Sequence, residues 1–228
     1  VGSVVDGDII NQQVVVDAIK GLVERTIPKK IKTRKVVCSL PETKAFLRII
    51  TIPKMDEKEV KEAIKWEIEA NIPLTLDQVY YDWQILDKNF TQGKDTMDVL
   101  VVAVARSMVN QFEETLTKAG LEVVGLETES IAQARSLLAE KNEERTTLII
   151  AIGDRRSSFF ISEGNTPRFT SSVPLSSQMI TDAISKSLQI PFEQAEEIKI
   201  KQGLGSLSFQ SPVLKAALPV LENIAQEI

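Results

Sequence analysis

The chain has 228 residues, of which 43% are hydrophobic, 26% charged and 5% aromatic; at roughly 150 residues per domain this is about 1.5 domains, enough to bury a core and too average in composition for a disordered or collagen-like chain. It contains no histidine and one cysteine, Cys38, which excludes Ser-His-Asp and Cys-His nucleophile pairs, imidazole metal sites, an internal disulfide and any CxxC motif. With 27 basic against 32 acidic residues, net −5, a nucleic-acid footprint over the whole surface is excluded too.

Residues 9–26 place Val14, Val15, Ala18, Ile19, Leu22 and Val23 at helical spacing. The densest basic run follows, Pro28-Lys29-Lys30-Ile31-Lys32-Thr33-Arg34-Lys35. It reads either as a solvated loop entering a strand or as a contact for a phosphate-rich partner or a membrane surface. Strands are expected over 34–40 and 44–52, stopped by Pro41 and Pro53. Asp56 and Glu59 are spaced for a capping box on a helix that buries Val60, Ala63, Ile64 and Ile68 and ends near Pro73. An alternating strand over 79–86 and a turn over 89–95 with Gly93 complete a β-α-β unit within 41–90.

The run 97–105 is almost continuously apolar, as in a strand buried on both faces. Ser107 is placed to cap the next helix, which carries Met108, Phe112, Leu116 and Ala119 and stops at Gly120. A return strand over 122–127 makes this a strand-helix-strand unit with a right-handed crossover. A helix with Ile131, Ala134, Leu137 and Leu138 leads to the polar stretch 142–146, the expected domain boundary. Beyond it lie three successive strands, 147–152, 157–162 and 167–173, with a hairpin turn at Gly164-Asn165. Helices follow over 176–190, over 192–201 after Pro191, and over 212–228, with Gly203 and Gly205 ending the second. No apolar run approaches the ~18 residues that span a bilayer, and no signal peptide is present. The chain opens on Val1 rather than Met and its last helical pattern reaches Ile228, so a piece of a longer cytoplasmic protein is expected.

Three constellations could carry function. The turn Ile152-Gly153-Asp154-Arg155-Arg156-Ser157 sets a glycine and hydroxyls between two strands, where backbone amides can cradle an anion or simply close a hairpin. In Ala195-Glu196-Glu197-Ile198-Lys199, Glu196 and Lys199 share a helix face and could hold a ribose and a base, or form a surface ion pair of roughly 0.2–0.5 kcal/mol. Trp66, Tyr80, Tyr81 and Trp83 gather in the 41–90 unit, either at an interaction surface or in packing between its helix and sheet. Tyr80 and Tyr81 must face opposite ways if their strand is regular.

In this order these pieces resemble the PilM family of type IV pilus assembly, actin-like and related to the cell-division protein FtsA. The resemblance is carried by Leu47-Arg48-Ile49-Ile50-Thr51-Ile52-Pro53-Lys54-Met55, Ile64-Lys65-Trp66-Glu67, Asn71-Ile72-Pro73-Leu74 and Tyr81-Asp82-Trp83. It is carried further by Lys118-Ala119-Gly120-Leu121 and Ala195-Glu196 with Lys199. It implies an α/β, actin-like (ribonuclease H-like) two-lobed fold, incomplete at both termini: a first lobe over 1–145 with an inserted β-α-β subdomain at about 41–90, and a second over 146–228.

The family's second phosphate loop has Asp where this chain has Ala151, ahead of Ile152-Gly153, and its Gly-Gly is Ser176-Ser177 here. An alanine cannot ligate Mg²⁺ or orient water. The first phosphate loop and the glycine-rich adenosine loop have no counterpart. Nucleotide-binding positions carried over are Gly153, Glu196 and Lys199, with no catalytic or metal residue. ATP with Mg is expected only of the full-length protein.

The resemblance further implies a scaffold at the cytoplasmic face of the inner membrane, reaching the membrane only through its partners. It would bind the N-terminal peptide of a PilN-like protein in a groove beside the insertion and couple to pilus motor ATPases. Oligomers fit this role and nucleic acid does not. One groove wall is expected from helix 56–72 and strand 79–86. An ATP-binding switch or ATPase, and the cytoplasmic domain of a GspL-like type II secretion protein, are the alternatives.

Overall fold

A computed structural model describes residues 2–28, 31–86, 95–138, 145–203 and 211–227. The chain divides into two units, Val1–Ala139 and Glu140–Ile228.

The first unit opens with a small hairpin, β1 (Val4–Val5) and β2 (Asp8–Ile9). Asn11 then caps α1 (Gln12–Glu24), its side chain accepting from the Val14 amide at 3.2 Å. Strand β3 (Lys35–Leu40) leads through a single 3-10 turn, Glu42–Lys44, into the inserted subdomain. There β4 (Ala45–Pro53), β5 (Val79–Ile85) and β6 (Thr96–Ala105) form an antiparallel sheet in the order β4-β6-β5. Helix α2 (Glu57–Asn71) packs on one face. Its capping box forms as expected: Asp56 accepts from the Lys58 and Glu59 amides, 2.9 Å each, and Glu59 accepts from the Asp56 amide at 3.1 Å. Val60, Ile64 and Ile68 are fully buried against Ile50, Ile52, Val99, Val101 and Ala103, and each such side chain stabilises the fold by about 1.5–3 kcal/mol.

Strand β6 differs from its expected role. It was expected to form a crossover with the return strand; instead it pairs with β4 and β5, both antiparallel, while the return strand β7 (Glu122–Thr128) pairs in parallel with β3. Both faces of β6 are covered from Val99 onward, which is why its sequence is apolar from Val99 to Ala105. Odd positions meet α2; Val104, on the other face, meets Leu40 and Met108. A continuous apolar run reports two covered faces and not the direction of its neighbours.

Helix α3 (Arg106–Lys118) has Ala105 at its N-cap with no side-chain cap, so Ser107 lies inside the first turn. Its end matches expectation: Gly120 has φ +82°, its amide donates to Thr117 O at 2.9 Å, and the Leu121 amide donates to Leu116 O at 3.0 Å, a Schellman closure. The helix α4 (Glu129–Leu137) takes its N-terminal ligand from far away in sequence. The buried Glu42 carboxylate accepts from the Ser130 amide (3.1 Å) and hydroxyl (3.0 Å). The partial positive charge at a helix N-terminus favours a carboxylate there.

In the second unit β8 (Thr146–Ile152), β9 (Ser157–Glu163) and β10 (Thr166–Val173) form an antiparallel meander. Helices α5 (Ser177–Leu188), α6 (Phe192–Gln202) and α7 (Pro212–Gln226) follow. Ile180, Ile184, Ala195, Val213 and Ala217 form their shared core. Gly93, Gly205 and most of the boundary stretch 142–146 lie outside the described residues.

Candidate functional site

The three residues expected at a nucleotide site lie together in the second unit. Gly153 begins the β8–β9 turn and closes it, its amide donating to Arg156 O at 2.9 Å. A Cβ at this position would stand 2.7 Å from the same oxygen, so the turn requires glycine. The turn carbonyls face the head of α5: Gly153 O accepts from the Ser177 amide (2.9 Å) and Asp154 O from the Gln178 amide (3.1 Å). Ser176, buried, caps the helix by accepting from the Met179 amide at 3.3 Å. Three of the four amides that a helix N-terminus leaves without intrahelical partners, the donors an anion would use, are engaged internally.

The Glu196–Lys199 pair joins the same network. Lys199 Nζ donates to Glu196 Oε2 (2.8 Å), Ser177 Oγ (2.7 Å) and Thr181 Oγ1 (2.8 Å). The hydroxyl of Thr181, a fully buried residue, also donates to Glu196. Hydrogen bonds from Lys199 and Thr181 hold the Glu196 carboxyl below its ordinary range. Ser177 thus links Gly153 to Lys199, and α6 is pinned to α5. Sequence reading noted Ser177 only as standing where the family has glycine, and missed Thr181; their i, i+4 spacing on α5 was the available signal. Among the described residues no group of three His, Cys, Asp or Glu could hold a metal ion, and Ala151 offers no ligand. The residues present do not by themselves fit a magnesium nucleotide.

A second site lies in the first unit. A groove of about 240 Å³ runs beside β5, lined by Tyr80, Asp82, Val102 and Val104 on one side and Leu126 and Thr128 on the other. It uses the face of the β4-β6-β5 sheet opposite α2. Strand β5 lines this groove, whereas α2, the other element expected to form a groove wall, covers the opposite face of the sheet together with Tyr81 and Trp83. The two tyrosines do face opposite ways. Arg106 steadies Tyr80, its guanidinium 4.2 Å from the ring centroid and its Nε donating to Val79 O at 3.0 Å. Among the described residues β5 is an edge strand, and the Trp83 amide is met by the Asp82 side chain at 2.9 Å. The wall thus combines an apolar floor, an aromatic and an open strand edge.

The sequence model of the type IV pilus assembly protein PilM matches residues 1–228. Among solved structures, a PilM-PilN type IV pilus biogenesis complex superposes with a TM-score of 0.79 at 29% identity, over 99% of this chain and 65% of that one. The ethanolamine utilization protein EutJ from Carboxydothermus hydrogenoformans superposes at 0.57 and 17% identity, over 100% of this chain and 58% of that one. The cell division protein FtsA of Helicobacter pylori is 28% identical over 111 residues, 49% of this chain and 22% of FtsA. The chain thus spans about two-thirds of the first structure and the aligned stretch about a fifth of FtsA.

Proposed function

Because the chain belongs to the PilM family of type IV pilus assembly proteins, we propose that it is an actin-like adaptor that docks the N-terminal peptide of a PilN-like inner-membrane protein in the groove beside β5. The observation that carries this reading is the open edge of β5 beside the apolar floor formed by Val102, Val104 and Leu126. An extended peptide gains main-chain hydrogen bonds from a strand edge and side-chain selectivity from alternate pockets. Asp82, exposed in the lining of the groove, favours a cationic group on the peptide, whereas Glu127 is already paired with Arg135. No helix of the described residues is long and apolar enough to cross a membrane; in this reading the partner holds the chain at the cytoplasmic face of the inner membrane, where it couples to the pilus motor ATPases. Hydrogen exchange with the peptide added tests this: protection is expected over Val79–Ile85 and Glu122–Thr128. Protection confined to other elements refutes it.

A second reading, an ATP-binding switch on the same fold, is favoured by one observation: Gly153, Lys199 and Glu196 are joined through Ser177 in one hydrogen-bond network at the head of α5. Nucleotide entry would require Lys199 to release Ser177 and Thr181. A Mg-ATP thermal shift lost in Glu196→Ala supports it, and a shift indifferent to that substitution counts against these residues.

A further inference from the structure

The segment between α1 and β3 is used by neither site, and its chemistry is distinctive. Residues 25–35 carry six bases (Arg25, Lys29, Lys30, Lys32, Arg34, Lys35) and no acid, in a chain whose net charge is −5. Two isoleucines stand among them in water: Ile27 is 91% exposed and Ile31 44%. Leu22, on the last turn of α1, is 68% exposed beside them in sequence. Lys32, Arg34 and Lys35 are exposed too, and none of them enters an ion pair among the described residues. Nor is the segment loose at its root. Thr26 Oγ1 donates to Val23 O and accepts from the Ile31 amide, both at 3.2 Å, tying Ile31 back to the end of α1.

We propose that the described residues 25–28 and 31–35 form a membrane-docking surface. Ile27 and Ile31 enter the interfacial layer of an anionic bilayer, while Arg25, Lys32, Arg34 and Lys35 pair with lipid phosphates. Apolar tips set among cations are the feature that favours a bilayer, where burying the tips and neutralising the headgroups reinforce one another. A nucleic acid would use the cations but give isoleucine nothing, and residues 25–35 contain no aromatic on which a base could stack. The proposal stands independently of the peptide groove. It adds a direct contact with the membrane to the one made through the partner.

The test is sedimentation of the full chain with large unilamellar vesicles at 0.15 M salt, one set of phosphatidylcholine alone and one with 40% phosphatidylglycerol. Binding to the anionic set is expected, at least tenfold stronger than to the neutral set and weakening as salt rises. Lys32→Gln with Arg34→Gln should reduce it about 25-fold, about fivefold per lost base. Ile27→Ser should reduce it roughly tenfold through lost apolar burial. Because these side chains are exposed, the variants should unfold at the wild-type temperature. Three results overturn the proposal: no binding to anionic vesicles, equal binding to both sets, or wild-type binding by Ile27→Ser, which would mean polyanion attraction alone. Loss of a concentration-dependent oligomer in the loop variants, without any vesicle binding, would assign the surface to a second copy of the chain instead.

Discussion

Replacing Lys199 by methionine tests how much of the second unit depends on the link between α5 and α6. Methionine keeps the apolar stem, one atom shorter, but removes the ammonium that donates to Glu196, Ser177 and Thr181. The lysine side chain is 16% exposed and that of Glu196 35%, so water can replace part of what the carboxylate loses. Charged hydrogen bonds contribute about 1.5–3 kcal/mol each and do not add; with Thr181 still donating to Glu196, a net loss of about 2–3 kcal/mol is expected. Tryptophan fluorescence will not see it, because Trp66 and Trp83 both lie in the first unit. Amide hydrogen exchange will, as faster exchange by a factor of roughly 30–150 in Ser177–Leu188 and Phe192–Gln202. The effect is pH-dependent with a definite sign. Glu196 is held below its ordinary 4.5 by hydrogen bonds from Lys199 and Thr181. Its contribution is therefore complete above that value and is lost as pH falls through the lowered one. Lys199→Met should flatten this acid limb. Unchanged protection of both helices at neutral pH would refute the reasoning.

Gly153→Ala forces a Cβ to within 2.7 Å of Arg156 O and should cost about 2 kcal/mol by overpacking, read as faster exchange in β8 and β9. Asp56→Ala removes the capping box of α2 and should lower first-unit stability by about 1 kcal/mol, followed in urea by the fluorescence of Trp66 and Trp83. Glu42→Ala leaves the Ser130 amide and hydroxyl without their acceptor and should cost about 2 kcal/mol, with exchange increasing first at the start of α4.

Much of the fold was legible because its signals are local. The capping box at Asp56 and Glu59, the glycine stop at Gly120 and the apolar period of α2 all depend on residues within a few positions of one another. The partner of β6 was not legible, because a strand buried on both faces reads the same beside parallel or antiparallel neighbours. Ser107 failed as a cap because Ala105 already stands at the N-cap position and the first turn closes around Arg106. Glu42 gave no local sign of its use, since the helix it caps begins 87 residues later. At the candidate sites, Gly153, Glu196 and Lys199 were legible as a set, whereas Ser177 and Thr181, which join them, contribute only hydroxyls. The groove was half legible: alternation along β5 assigned Tyr80 and Tyr81 to opposite faces, but which face α2 would cover depends on how the sheet assembles.

The most direct test of the adaptor account is calorimetric titration of the protein with a synthetic N-terminal peptide of a PilN-like partner. One-to-one binding is predicted, with the negative heat-capacity change of apolar burial. Tyr80→Ala, which removes the exposed ring held by Arg106, should weaken it about tenfold, a typical effect of losing an interface aromatic, without lowering first-unit stability by more than about 1 kcal/mol, the upper estimate for an exposed cation–π contact. Absence of binding at high micromolar peptide, or undiminished binding by Tyr80→Ala and by Val102→Asp alike, would contradict the assignment of the groove.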